Sequence, residues 1–192
     1  MMKDNNEQQD ISIEQIENLR GSESLRKWVA RRLAVASLYE KVHIYPGNCL
    51  FLGWDDREME DAARVLAEIF HREGILGKPT VTVCEVARLF REPELFSTAL
   101  KAAAGGVLYC KDADLLTEPP LYNEIFRELI VASCDPGIRE STCLILAGRP
   151  EGMKQLMDAD PGFRRKFCPD GQAFLFEIGA PRKRTLRLEE ES

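Results

Sequence analysis

The sequence predicts an α/β fold in which a mostly parallel, five-stranded sheet is covered by helices on both faces. Short apolar runs alternate along the chain with segments of helical periodicity. Four of the runs are apolar almost throughout, which is typical of strands that are buried on both faces. The 192 residues, 44% of them hydrophobic and 30% charged, are enough for one domain with a full core.

The order of the predicted elements follows from the apolar spacing and from Gly and Pro at the breaks. The predicted strands span residues 49–53, 80–84, 107–110, 142–148 and 173–178. The predicted helices span residues 12–19, 22–41, 57–73, 93–104, 120–133 and 152–159. Residues 12–180 are therefore expected to form one domain, between a disordered lead at 1–11 and a charged tail at 181–192.

Composition excludes several classes of function. The net charge is −6, whereas a general nucleic-acid binder presents a basic face. No apolar run approaches the ~18 residues that a membrane span needs. The polar N-terminus is neither a secretory signal nor a transit peptide. We therefore expect a cytoplasmic protein with no nucleic-acid or membrane partner.

The six cysteines form no C-x-x-C pair, and no histidine lies at a metal-ligand spacing from any of them. Four of them lie inside apolar runs. This pattern predicts reduced, buried thiols that act as small apolar side chains in a reducing compartment. No metal and no cofactor are expected. The cysteines are Cys49, Cys84, Cys110, Cys134, Cys143 and Cys168.

The turn after the first strand is the place for a phosphate-binding loop. Such a loop reads G-x-x-x-x-G-K-[ST], and its glycines, lysine and hydroxyl hold phosphates and Mg²⁺. Gly53 keeps the first position. The second glycine is replaced by Glu58, the lysine by Met59 and the hydroxyl residue by Glu60.

Acidic residues crowd the same turn. Five of the eight residues from 54 to 61 are acidic, among them Asp55 and Asp56. A carboxylate ~4 Å from a phosphate charge is repelled by roughly 1 kcal/mol in water and roughly 4 at an effective dielectric of 20. Our interpretation is that carboxylates of the protein now occupy the position in which an ATPase would hold the phosphates. The alternative is an ordinary helix start with a capping Asp. Both interpretations predict little or no phosphate binding.

The end of the third strand also differs from the pattern of an ATPase. An ATPase would place there an Asp that orients Mg²⁺ and a Glu that activates the attacking water. Lys111 and Asp112 occupy these positions. A cation where Mg²⁺ should be held excludes the usual chemistry.

With both turns in view, the chain resembles the AAA+ family that includes red-type Rubisco activases and the stage V sporulation protein K-like ATPases. The match covers roughly residues 13–176. It implies a three-layer, P-loop NTPase-like fold, that of the AAA+ large subdomain. The segments that carry the resemblance are CLFLG, ARVLAEIFHREGIL (63–76), GGVLYCKDA, CLILAGRPEGM (143–153) and DPGFRRKF (160–167).

The chain departs from the family beyond its two nucleotide motifs. The aromatic–glycine loop that grips a threaded polypeptide is missing, and the helical lid with its second sensor is expected to be absent. In the segment similar to the one that carries the arginine finger, Arg164 is kept, followed by Arg165, but Lys166 replaces the final Arg. Lysine lacks the planar fork of arginine. We expect these three residues to face a partner.

The charge changes at the two turns are reciprocal, because the phosphate loop has gained acids and the metal site a base. The two turns are expected to be neighbours. We therefore predict that Lys111 pairs with Glu60, Asp56 or Asp55 across the vacant site. The alternative is a set of unrelated surface charges.

The sequence predicts a non-catalytic pseudo-ATPase domain that acts as an interaction, regulatory or assembly module, docking on active AAA+ subunits or domains. The alternative is an ATPase with a non-standard site built from Lys111, Asp112 and Arg149. A Cys–His catalyst is disfavoured, because neither His43 nor His71 is placed beside a nucleophile.

Overall fold

The computed structural model describes residues 23–38, 44–167 and 173–176. Within this range the chain forms a parallel sheet with the strand order β2-β3-β4-β1-β5. Several predictions lie outside the described residues. They are the disordered lead, the helix at 12–19, the charged tail and the expected absence of a lid. The strands are β1 (Cys49–Gly53), β2 (Val81–Glu85), β3 (Val107–Lys111), β4 (Cys143–Gly148) and β5 (Phe174–Phe176).

All neighbouring strand pairs are parallel and pair residue by residue. Four strands have five or six residues, and β5 is a three-residue strand that pairs with β1 at the edge. The predicted mixed α/β class with a parallel sheet is confirmed. Of the predicted fifth strand, positions 177 and 178 lie outside the described residues.

Helices connect the strands. They are α1 (Glu23–Leu38), α2 (Asp56–Arg72), α3 (Leu95–Ala102), α4 (Ile125–Cys134), α5 (Pro136–Ser141), α6 (Pro150–Ala159) and α7 (Pro161–Phe167). Two 3₁₀ helices follow strands: Val86–Phe90 directly after β2, and Ala113–Thr117 one residue after β3. None of the helices in the described ranges combines the length and the apolar character that crossing a membrane requires.

The core lies on both faces of the sheet, as predicted. Successive residues of a strand point to opposite faces, so Phe51 and Tyr109 pack with α1 and α2. Leu52 and Leu108 pack on the other face with α3, α4, α6 and α7. This three-layer arrangement leaves the strand ends as the place where polar side chains gather.

The sequence of α2 explains its position over the site. Its buried side chains, which include Met59, Leu66 and Phe70, recur at helical spacing and form one apolar face. Asp55 caps its start. After Arg72 the chain turns at Gly74, whose φ of +70° is the left-handed conformation that ends helices.

The helices depart from the predictions in three places. The helix predicted at 120–133 begins only at Ile125, because residues 120–124 form turns, in which the N–H group of Asn123 donates to the carbonyl oxygen of Pro120 at 3.0 Å. Two short helices, α5 and α7, were not predicted. The other predicted elements agree with the observed bounds to within two residues at each described end.

Candidate functional site

The candidate site lies at the carboxyl ends of the strands, where parallel α/β sheets bind ligands. The residues that end β1, β3 and β4 are Gly53, Lys111 and Gly148. The turns after β1 and β3 are predicted to be neighbours, although the two strands themselves do not pair. β4 lies between β1 and β3, because the order of strands along the chain does not fix their order in the sheet.

An ion pair nevertheless joins the two turns. The Nζ atom of Lys111 lies 3.1 Å from Oδ2 of Asp56, the first residue of α2. The predicted pairing is therefore confirmed, with Asp56 as the partner. The hydrogen bond to Asp56 and the charge of its carboxylate raise the pKa of Lys111. The contact links β3 to the start of α2 past the end of the intervening strand.

The first turn of α2 is satisfied by the protein itself. Oδ1 of Asp55 accepts hydrogen bonds from the backbone N–H groups of Arg57, at 2.9 Å, and Glu58, at 3.2 Å. A phosphate-binding loop would offer these N–H groups to its ligand. The capping carboxylate therefore takes the place that an anion would need.

Met59, at the lysine position of the phosphate-binding motif, is only 1% exposed and belongs to the core on the α1–α2 face. Its side chain packs into the protein and does not extend over the turn. A thioether also offers no charge or donor to a phosphate. Both the position and the chemistry of this side chain remove the lysine function.

The two glutamates of the motif have different surroundings. Glu60 forms an ion pair with Arg64, one turn further along α2. Glu58 is half-buried, and its Oε2 atom has no hydrogen-bond partner among the described residues.

Asp112 follows β3 in a left-handed conformation, with φ 56° and ψ 38°. Burial raises the pKa of its carboxyl group, and the nearby carboxylate of Asp56 raises it further. The charges of Lys111 and Arg149 partly oppose this shift. The structure therefore brings Asp112, Lys111 and Arg149 together with the acidic start of α2.

Sequence reasoning missed Tyr109, which lies beneath this site. Its side chain is fully buried, and its hydroxyl has no hydrogen-bond partner within the described part of the chain. Burial raises its pKa, and the negative charges of Asp56 and Glu60 add to the shift. The alternation along β3 was the available signal, because it places Tyr109 on the α2 side of the sheet.

No metal centre is formed by these side chains. In the described ranges, no group of three or more His, Cys, Asp or Glu residues is arranged to hold an ion. At the end of β3, where the resemblance would place a metal-binding Asp, the chain carries the ammonium of Lys111. That cation neutralises a carboxylate that could otherwise attract Mg²⁺.

The arginine-finger-like residues lie elsewhere. Arg164 and Arg165 are exposed on α7, and Lys166 is half-buried. Arg165 and Lys166 line a pocket of about 250 Å³ beside Asn48, which directly precedes β1. This basic pocket is at the amino-terminal end of the sheet, one strand length or ~16 Å from the strand ends described above.

The cysteines of the described residues are free, and the four predicted to be buried are buried. Cys84 and Cys110 face each other across β2 and β3. A hydrogen bond between their thiols lowers the pKa of Cys84 and raises that of Cys110. Cys134 is exposed, and Cys168 lies outside the described residues.

The histidines take no part in the strand-end site as far as the structure describes them. His71 lies near the far end of α2, and its Nδ1 atom is 3.2 Å from the carbonyl oxygen of Leu76. His43 lies outside the described residues. The predicted absence of a Cys–His catalyst remains a prediction.

No protein-family model matches this chain, and no curated protein is similar to it in sequence. The resemblance to AAA+ ATPases therefore stays a prediction from the sequence.

Proposed function

We propose that the chain is a non-catalytic AAA+-like domain, a pseudo-ATPase that acts through contacts with other proteins. The observation that carries this proposal is the ion pair between Lys111 and Asp56 at the strand ends. It joins the position of a metal-binding carboxylate to the loop that would hold phosphates. The chain thus supplies its own charges at both places where Mg²⁺ and phosphate would bind.

Three changes act together against ATP. Asp55 occupies the backbone N–H groups of the α2 start. Met59 is buried and leaves no lysine for the β- and γ-phosphates. Lys111 repels a divalent cation and is already paired. Reversing any single change would leave the other two in place. We therefore infer that no single substitution would restore ATP binding and hydrolysis.

The finer fold assignment belongs to the same proposal. A three-layer P-loop NTPase-like fold, that of an AAA+ large subdomain, is supported by the strand–turn–helix unit from β1 to α2 and by helices on both faces of the sheet. The finger-like segment after β4 supports it as well. A partner that fits these features is an active AAA+ subunit or domain, with Arg164 exposed towards it.

One observation favours a second candidate function. Lys111 and Arg149 are both close enough to Asp112 for their positive charges to act on its carboxyl group. A non-standard nucleotide site would use two of them as cations and Asp112 as the group that activates water. The carboxylate of Asp112 has a raised pKa, which is also a feature of catalytic acids and bases.

The test is an assay of Mg²⁺-dependent phosphate release from ATP by the unaltered chain and by Asp112→Asn and Arg149→Ala. We expect the three proteins to release phosphate at the same rate as the buffer. A rate that is proportional to the concentration of the unaltered chain and is lost in Asp112→Asn would establish the second candidate and overturn the first.

The same assay reports docking when an active ATPase of the resembled family is added. We expect the chain to change the turnover of that enzyme, and Arg164→Ala to reduce the change. Glu128 lies exposed on α4, and Glu128→Ala is the control for loss of one exposed charge. Unchanged turnover together with separate migration in gel filtration would count against docking on that enzyme.

A further inference from the structure

The basic pocket at the amino-terminal end of the sheet is unusual in its charge. Four cationic side chains, Arg32, Arg139, Arg165 and Lys166, line it, and none of the described residues that line it is acidic. They come from α1, α5 and α7, which the fold brings together beside the start of β1. Four positive charges gather here although the whole chain carries −6.

Among the described residues, these four cations form no ion pair with a carboxylate. The ion pairs within the described residues involve Lys27, Arg64, Arg88 and Lys111 as cations, and none from the pocket. Like charges that line one small pocket repel one another, and an anion bound among them would relieve that repulsion. The arrangement therefore favours binding of a negative group.

Aromatic rings hold two of the guanidinium groups in place. The guanidinium of Arg32 lies 4.5 Å from the centroid of the Trp28 ring, and that of Arg139 lies 4.8 Å from the centroid of Tyr45. Arg32 also donates from Nη1 to the carbonyl oxygen of Tyr45. Stacking uses the faces of the guanidinium groups and leaves N–H donors at their edges for an oxyanion.

Arg32 has donor capacity left over. Its Nε atom is buried and has no hydrogen-bond partner in the described part of the chain. A buried donor without a partner is costly, and a bound anion would supply the acceptor that this N–H group needs. The donor belongs to one of the four cations that line the pocket.

Gly47 makes the position of Arg32 possible. A Cβ atom on Gly47 would lie 2.6 Å from Nη2 of Arg32, and the φ of this residue is +78°. Both facts favour glycine here. A substitution at Gly47 therefore displaces the guanidinium of Arg32 without removing any charge from the pocket.

We propose that this pocket binds an oxyanion of the phosphate class, either free or as the phosphate group of a larger ligand. Bidentate contacts with arginine are the usual recognition of such groups. The volume of about 250 Å³ is below the ~300–1,000 Å³ of pockets for drug-sized ligands. This favours a small anion such as phosphate or diphosphate over a complete nucleotide. The site is separate from the strand ends, which carry the pseudo-ATPase proposal, because it lies at the opposite end of the sheet.

The test is calorimetric titration of inorganic diphosphate, and separately of orthophosphate and ADP, into the purified chain at roughly 50 and 150 mM ionic strength. We expect saturable binding of diphosphate that persists at the higher salt. Arg165→Ala should weaken it roughly tenfold or more, as expected for loss of a charge-assisted hydrogen bond. Gly47→Ala should weaken it as well. ADP that binds no more tightly than diphosphate identifies the phosphates as the recognised group.

Arg164→Ala is the matched control, because Arg164 is the exposed neighbour of Arg165 and does not line the pocket. Equal weakening by Arg164→Ala and Arg165→Ala would indicate diffuse attraction and overturn the proposal, as would absence of diphosphate binding. Lys111→Ala reports on the strand ends. If Lys111→Ala abolishes diphosphate binding, the anion binds at the strand ends, and both proposals are contradicted. If diphosphate binds to none of the proteins, the oxyanion proposal fails and the pseudo-ATPase proposal is unaffected.

Discussion

Asp112 differs from an ordinary surface carboxylate in both conformation and charge. It is the non-glycine residue with positive φ in the described chain, and burial together with Asp56 raises its pKa. A raised pKa means that the ionised form is less stable in the folded state than in the unfolded chain. The carboxylate of Asp112 therefore opposes folding at neutral pH.

Replacement of Asp112 by Asn should stabilise the protein at pH 7. Asparagine tolerates the left-handed conformation and carries no charge. Because the group is partly solvated, we expect a gain in the free energy of unfolding of roughly 0.3–1 kcal/mol. The gain should disappear as the pH falls below the ordinary pKa of Asp, about 3.9, since both proteins are then uncharged at this position.

Urea denaturation at several pH values measures this difference. Asp112→Ala is the control, because it removes the charge but also loses the residue type that suits positive φ, so its gain should be smaller. A destabilised Asp112→Asn at pH 7, or a gain that does not change with pH, would contradict the assignment.

At the scale of elements, the start of α2 gives two neighbouring aspartates different functions. Asp55 caps the helix with two hydrogen bonds, whereas Asp56 is 48% exposed at its side chain and reaches Lys111 on β3. Removing either residue removes one negative charge from the same helix end. Any difference between the two variants therefore reflects the contacts and not the helix dipole.

Asp55→Ala should lower the free energy of unfolding by about 1 kcal/mol, the usual cost of losing an N-cap. Asp56→Ala should cost less, roughly 0–1 kcal/mol, since exposed ion pairs contribute little. Thermal and urea denaturation of the two variants gives the comparison, and Asp55→Asn should retain most of the capping. A larger loss from Asp56→Ala than from Asp55→Ala would mean that the ion pair is a major stabilising contact.

The elements also show how far sequence reasoning reaches. The strands and α2 follow from apolar periodicity and were predicted to within two residues. The two helices that were missed, α5 and α7, both begin with Asp followed by Pro. Asp135 and Asp160 cap them by accepting from the N–H groups of Ile138 and Phe163. The Asp-Pro dipeptide was the available sequence signal for these two helices. Apolar periodicity does not identify them, because six or seven residues are too few to show it.

At the scale of the whole molecule, the two ends of the sheet have opposite chemistry. The carboxyl ends gather acids that are satisfied by a cap and an ion pair. The amino-terminal end gathers four cations without carboxylate partners among the described residues. This separation could be predicted only for the strand ends, where Lys111 and Asp56 lie next to recognisable motifs. The basic pocket combines residues that lie more than 130 positions apart in the sequence. No local sequence pattern therefore predicts it.

The order of the strands in the sheet could not be predicted from the sequence for a related reason. Periodicity identifies strands but does not say that β4 inserts between β1 and β3. The pairing of Lys111 with Asp56 was still predicted, because reciprocal charge changes report on contact in space and not on strand adjacency. Tyr109 escaped notice because an aromatic residue within an apolar strand is ordinary.

Calorimetric titration of Mg²⁺–ATP and Mg²⁺–ADP into the chain and into Arg165→Ala tests the central claim most directly. The variant weakens binding at the basic pocket, so that tight binding that remains unchanged in it reports on the strand ends. We predict no saturable binding by Arg165→Ala at millimolar nucleotide. Micromolar binding that persists in Arg165→Ala and is altered by Lys111→Ala would show that the strand ends hold nucleotide, and the pseudo-ATPase account would be wrong.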